Sequence, residues 1–111
     1  MPNSYRLLLV EDSPEDAELL RFALAQAPIP FRITRVETEA EYAAHLETNP
    51  PDVILCDYVM PHFSAERALE MTRARNLDLP FIIVSHHVDE SAAVIAMQQG
   101  ASDYLPKRNL T

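Results

Sequence analysis

Glycine and cysteine are almost missing from this chain: one of each, Gly100 and Cys56, stands among 111 residues. A lone cysteine excludes an internal disulfide, and its place inside an apolar run makes Cys56 a small core residue. Without glycine the chain also lacks a glycine-rich loop to cradle phosphate. The segment after the first apolar run is Glu11-Asp12-Ser13-Pro14-Glu15-Asp16, which would repel phosphate unless a metal stood between. Basic residues are few, 9 Lys and Arg against 17 Asp and Glu, for a formal net charge of -8. Nothing basic is clustered to meet a nucleic-acid backbone, so no nucleic acid is expected as a partner. No apolar run is long enough to span a membrane, and the N-terminus lacks a signal-peptide pattern. A cytoplasmic location without membrane contact is therefore the expectation.

What remains is a chain of single-domain length with 48% hydrophobic residues, enough for a real core. Its centre is Pro51 to Pro61, where Val53, Ile54, Leu55 and Cys56 run straight into Asp57. An apolar run without alternation suits a parallel strand covered on both faces. Tyr5–Val10 and Pro80–Val84 are two more such runs. Phe31 and Ile33 alternate with polar residues, as on a half-exposed edge strand, and Ser102–Pro106 reads as a last short strand. Pro106 lacks an N–H and suits an edge.

Helices fall between the strands. Ser13 reads as an N-cap, Pro14 as the first helical residue, and Asp16 sits near the place of a capping-box carboxylate. Leu20, Ala23, Leu24 and Ala27 give that helix a buried face. Further helices are expected over Glu39–Glu47, with Tyr42, Ala43 and Leu46 inward, and Ala65–Arg75, with Ala68, Leu69 and Thr72 packing. A fourth opens at Asp89 and ends at Gly100, where a left-handed residue is needed. Strand and helix thus alternate as in an open α/β sheet with helices on both faces. Right-handed crossovers favour a flavodoxin-like, doubly wound five-stranded parallel sheet in the order 2-1-3-4-5.

Such sheets place their sites at the carboxyl ends of the strands. There stand Glu11 and Asp12, then Asp57, then Ser85, and Lys107 follows the last strand. Neighbouring strands lie about 5 Å apart, so these groups can share one cleft. Three carboxylates together would push protons back on, and a hard divalent cation such as Mg²⁺ relieves that. Lys107 offers a point charge to a phosphoryl oxygen, and Ser85 a hydroxyl. Taken singly they have ordinary roles: a helix start for Glu11 and Asp12, a surface lysine for Lys107. Taken jointly, at successive strand ends, they make a site.

The acidic pair, the Asp in CDYVMP, the Ser after PFIIV, and SDYLPK together resemble the receiver domain of bacterial response regulators, over nearly the whole chain and in order. The loop after Asp57 and the K-x-N-L ending are similar to receivers attached to sensor kinases. The resemblance implies that Asp57 is the phosphoacceptor, taking the phosphoryl group from a phosphohistidine on a histidine kinase or a histidine phosphotransfer domain. It implies Mg²⁺ held by Asp12 and Asp57, by Glu11 through water, and by the Val59 carbonyl. It also implies phosphoryl binding by Ser85 and Lys107, and an inward turn of Tyr104 on activation. Such a domain is a phosphoacceptor that catalyses its own transfer and dephosphorylation, not an enzyme acting on a separate substrate.

The sequence departs from the family in His62-Phe63-Ser64, where glycine is common, and in Arg108, where proline and a cis bond are usual after the lysine. His62, His86 and His87 lie on loops at the same end, without the spacing of a transition-metal site. One rival reading is a degenerate receiver that binds proteins without phosphorylation, against which all five polar positions are filled. A flavin-binding domain would need a glycine loop, and an aspartyl hydrolase a second Asp where Val59 stands. Finally, the family's fold closes with a helix after the lysine, and this chain stops at Asn109-Leu110-Thr111. Either these residues are a fragment whose continuation supplies the helix, or a second chain covers the face. The fragment of a larger parent, a sensor kinase or multidomain regulator, is favoured, with dimerisation of the short form as a by-product.

Overall fold

The computed structural model describes residues 4–58, 60–86 and 89–107. Its elements alternate along the chain: β1 (Tyr5–Val10), α1 (Pro14–Ala25), β2 (Phe31–Val36), α2 (Glu39–Thr48), β3 (Val53–Asp57), α3 (Ala65–Ala74), β4 (Phe81–Ser85), α4 (Glu90–Gln98) and β5 (Asp103–Pro106). All strand pairs are parallel, and the order is β2-β1-β3-β4-β5. This is the expected flavodoxin-like sheet, with the apolar runs β1, β3 and β4 at its centre. The alternating β2 and the proline-ended β5 take the edges, where one side of the backbone needs no partner.

Side chains alternate across the sheet, so each central strand feeds two cores. Leu8, Val10, Ile54, Cys56, Phe81 and Ile83 face the larger one, packed with Tyr42, Leu46, Ala68, Leu69 and Ala96 from α2, α3 and α4. Tyr42 is fully buried, and its Oη lies 2.6 Å from Thr72 Oγ1, which in turn donates to the Ala68 carbonyl. Leu7, Leu9, Leu55 and Val84 face the other side, covered by Ala17 and Leu20 of α1.

That second side is only partly covered. An apolar groove of about 330 Å³ runs between α1 and the sheet, lined by Leu7, Leu20, Leu24, Leu55, Ile82 and Leu105 among others. Ala23, Leu24 and Ala27, expected to be buried, are half-buried for this reason: they form one wall of the groove. The helix ends follow their local chemistry. Ser13, Thr38, Ser64 and Asp89 each accept a backbone N–H from the first turn they precede. Gly100 adopts φ +111 after α4, as its position requires. Asn76 makes the corresponding left-handed turn after α3 at φ +56.

Candidate functional site

Strand register brings the polar strand ends together. Val10 pairs with Cys56, so Glu11 falls level with Asp57; Asp57 pairs with Val84, and Ser85 with Pro106. Glu11 is anchored by its own backbone, which donates to the Val36 carbonyl at 3.0 Å and accepts from Arg35 Nε at 3.2 Å. Asp57, Ser85 and Lys107 are buried to 6%, 6% and 5% exposure, and Glu11 completely. Buried charges of this kind persist only when paired, hydrogen-bonded or metal-bound.

Pairing is supplied here by one lysine. Lys107 Nζ lies 2.6 Å from Glu11 Oε1, 2.7 Å from Asp16 Oδ2 and 3.3 Å from Asp57 Oδ1. Three carboxylates against one ammonium leave negative charge in excess. Burial pushes the Glu11 carboxyl up to about 7, against the Lys107 hydrogen bond that holds it down. Burial likewise raises the Asp57 carboxyl, with the Lys107 charge opposing. Burial would pull the Lys107 ammonium down, but hydrogen bonds to Asp16 and Glu11 and the Asp57 charge outweigh it and raise it to about 12.

Glu11, Asp12 and Asp57 present one carboxylate oxygen each within 4.8 Å of one another. An all-oxygen, anionic donor set suits a hard divalent cation, and the raised carboxyls of Glu11 and Asp57 are groups that such a charge would relieve. Val59, expected to add a carbonyl, lies outside the described residues, as do His87 and Arg108. His62 and His86 are exposed and join no metal-binding group among the described residues.

Tyr104 is buried on β5, its ring meeting Tyr58 edge-on at 5.6 Å between centroids. Its Oη has no hydrogen-bond partner among the described residues. An unpaired buried hydroxyl is a cost, so Tyr104→Phe is expected to be as stable as the parent or up to about 1 kcal/mol more stable in denaturant melts. A loss of more than about 1 kcal/mol would show that the hydroxyl is bonded.

Two members of the site, Asp16 and His86, carry no sign of that role in the sequence. The spacing places Asp16 near a capping box, yet only half of that box forms. Ser13 Oγ accepts from Asp16 N at 3.2 Å, while Ser13 N donates to Glu11 Oε2 at 3.3 Å. The Asp16 carboxylate instead reaches Lys107, and the same oxygen lies 2.8 Å from His86 Nε2. Aspartate is one methylene too short for the return bond that glutamate makes in this motif. Its carboxyl is held below the ordinary range: partial burial raises it, but the Lys107 and His86 hydrogen bonds prevail. No local spacing signals this contact, since Asp16 and Lys107 are 91 positions apart.

Comparison with known proteins agrees with this architecture. The model of the family described as the response regulator receiver domain matches residues 7–110. The DNA-binding transcriptional regulator NtrC of Escherichia coli K12 is 40% identical over 99 residues, 89% of this chain and 21% of that protein. The chain therefore spans about a fifth of that relative. Protein PilH of Pseudomonas aeruginosa is 33% identical over 104 residues, 92% of this chain and 84% of PilH. Among solved structures, a signal receiver domain assigned to a LuxO repressor protein of Vibrio parahaemolyticus superposes with a TM-score of 0.82 at 32% identity. The match covers 94% of this chain and 78% of that one. With its strand order, its strand-end carboxylates and these matches, the chain belongs to the response regulator receiver domain family of two-component signalling.

Proposed function

We propose that this domain accepts a phosphoryl group on Asp57 from a phosphohistidine of a histidine kinase or phosphotransfer domain. A carboxylate oxygen of Asp57 attacks phosphorus, the phosphorus–nitrogen bond of the donor breaks, and the imidazole leaves with its electron pair and takes up a proton. The product is an aspartyl phosphate. The observation that carries this reading is the placing of Asp57, buried at a strand end with its Oδ1 3.3 Å from the Lys107 ammonium. Lys107 neutralises charge on the transferring oxygens, and Ser85 offers them its hydroxyl from the end of the adjacent β4.

Glu11, Asp12 and Asp57 would hold Mg²⁺, Glu11 through water, and Val59 would add its carbonyl. When bound, the cation supplies positive charge to the equatorial phosphoryl oxygens. With the cation bound, the site would hold every group the transfer needs, so small donors such as acetyl phosphate are expected to serve in place of a kinase. Incubation with acetyl phosphate and Mg²⁺, read by intact mass, tests the reading. One added phosphoryl group is expected, and no addition would oppose it.

A pH dependence follows from Glu11. Its carboxyl titrates near 7 in the folded protein against an ordinary 4.5. A raised folded value means that the folded chain holds the proton longer. Its stabilising contribution is complete below about 4.5 and is lost as pH rises to about 7. A cation displaces that proton, so binding and protonation compete. Mg²⁺ is expected to raise the melting temperature more at pH 8 than at pH 6. An equal or larger rise at pH 6 would contradict the assignment of Glu11 to the cation.

Among the described residues, no helix is long and apolar enough to cross a membrane.

A further inference from the structure

Lys107 has three N–H donors and, in this structure, three carboxylate partners. Two of those partners have other duties in the proposed reaction. Glu11 belongs to the oxygen cluster suited to a cation, and Asp57 is the acceptor itself. Asp16 has neither duty: it stands outside the cluster, in the first turn of α1, with Ser13 capping the backbone beneath it. Its Oδ2 serves Lys107 at 2.7 Å and His86 at 2.8 Å, and His86 directly follows Ser85 of β4.

We propose that Asp16 is a positioning residue for phosphoryl transfer, anchoring the Lys107 ammonium over Asp57 while Glu11 serves the cation. The proposal rests on the reading of Asp57 as acceptor. A lysine stem has four rotatable carbons, and an ammonium held only by groups that leave it would have to be found again at each turnover. With Asp16 as the fixed contact, one N–H is tied to α1. The donor released by Glu11 becomes available to a phosphoryl oxygen, and the third stays on Asp57. His86 ties the same carboxylate to the end of β4, where Ser85 stands, so both phosphoryl-binding groups are referred to one point on α1. The His86 side chain is 63% exposed, so its share of the effect is smaller.

Beryllofluoride, which mimics the phosphoryl group on a carboxylate, is the probe. Calorimetry on the full chain would measure Mg²⁺ affinity alone and beryllofluoride affinity at saturating Mg²⁺. Asp16→Asn is expected to weaken beryllofluoride binding about tenfold, with Mg²⁺ affinity changed less than about twofold. Asp16→Glu is expected to recover part of the loss, and His86→Gln to cost about twofold. The decisive arm repeats Asp16→Asn in a Lys107→Met background, where it should have no further effect because its route is gone. The two substitutions should be coupled in the same way in melts of the metal-free protein. Unchanged or tighter beryllofluoride binding in Asp16→Asn would overturn the proposal. So would an equal loss in the Lys107→Met background, which a merely structural role would give, or an equal loss of Mg²⁺ affinity. A parent that binds no beryllofluoride and takes no label on Asp57 would instead sink the acceptor reading, and this proposal with it.

Discussion

Asp57→Asn is expected to lose phosphorylation completely and at the same time to gain stability in the metal-free protein. The two effects have one origin. Asp57 is the carboxylate at the end of the central apolar strand, buried to 6% exposure beside Glu11 and Asp12. Burial raises its carboxyl, so its charged form is less favourable in the folded chain than in water. A neutral amide of the same shape removes that cost, and a gain of about 1 kcal/mol is expected. The amide is no nucleophile, so transfer from acetyl phosphate or a kinase ends. Intact mass after incubation with donor and Mg²⁺, beside thermal melts without Mg²⁺, would check both halves. A labelled Asp57→Asn protein would remove Asp57 from its role, and a destabilised one would mean that its contact with Lys107 outweighs its burial.

A second large effect is expected from covering the groove between α1 and the sheet. Leu24, Phe31, Val53, Ile82 and Leu105 are only half-buried there, although Leu7, Leu20 and Leu55 beside them are buried. Full burial of a large apolar side chain is worth about 1.5–3 kcal/mol, so completing several half-buried ones contributes several kcal/mol before helix ordering is subtracted. A net gain of about 3 kcal/mol is a large part of the roughly 5–15 kcal/mol of a typical domain. It would raise the melting temperature by roughly 10 °C or more. We propose that a further helix packed on this face completes its cover, and that the face drives self-association while it is uncovered. Melts and sedimentation of this chain beside one extended by a helix's length would test it. A 111-residue form that is monomeric and melts no lower than the extended one would show that the face needs no cover.

The sheet was legible because each of its three central strands carries an unbroken apolar run, Leu7–Val10, Val53–Cys56 and Phe81–Val84, a pattern that few other elements produce. The site was legible for a related reason. When strands are parallel and in register, residues at their carboxyl ends become neighbours, so Glu11, Asp57, Ser85 and Lys107 could be placed together from chain order alone. Helix faces were read well on α2 and α3, where Tyr42, Leu46, Ala68, Leu69 and Thr72 are buried, and less well on α1, where Ala23, Leu24 and Ala27 are only half-buried. Ile95 is 50% exposed and Val94 56%, and α4 buries only Ala96. Its centre, Ala92–Met97, is apolar on every side, so periodicity does not select a face. Asp16 escaped for the opposite reason. Its backbone N–H has the local job the sequence announces, donating to the Ser13 cap, while its carboxylate works across 91 positions of chain. Tyr104 was marked by resemblance alone, and its edge contact with Tyr58 has no signature in spacing.

The most direct test of Asp57 as acceptor is the chemical identity of the phosphorylated residue. The chain would be treated with acetyl phosphate and Mg²⁺, reduced with borohydride to trap the acyl phosphate, digested and sequenced by mass spectrometry. Reduction is expected at Asp57 and at no other carboxylate, and none when Mg²⁺ is withheld by a chelator. Modification at Glu11, Asp12 or any residue other than Asp57, or a chain that takes no phosphoryl group at all, would contradict it.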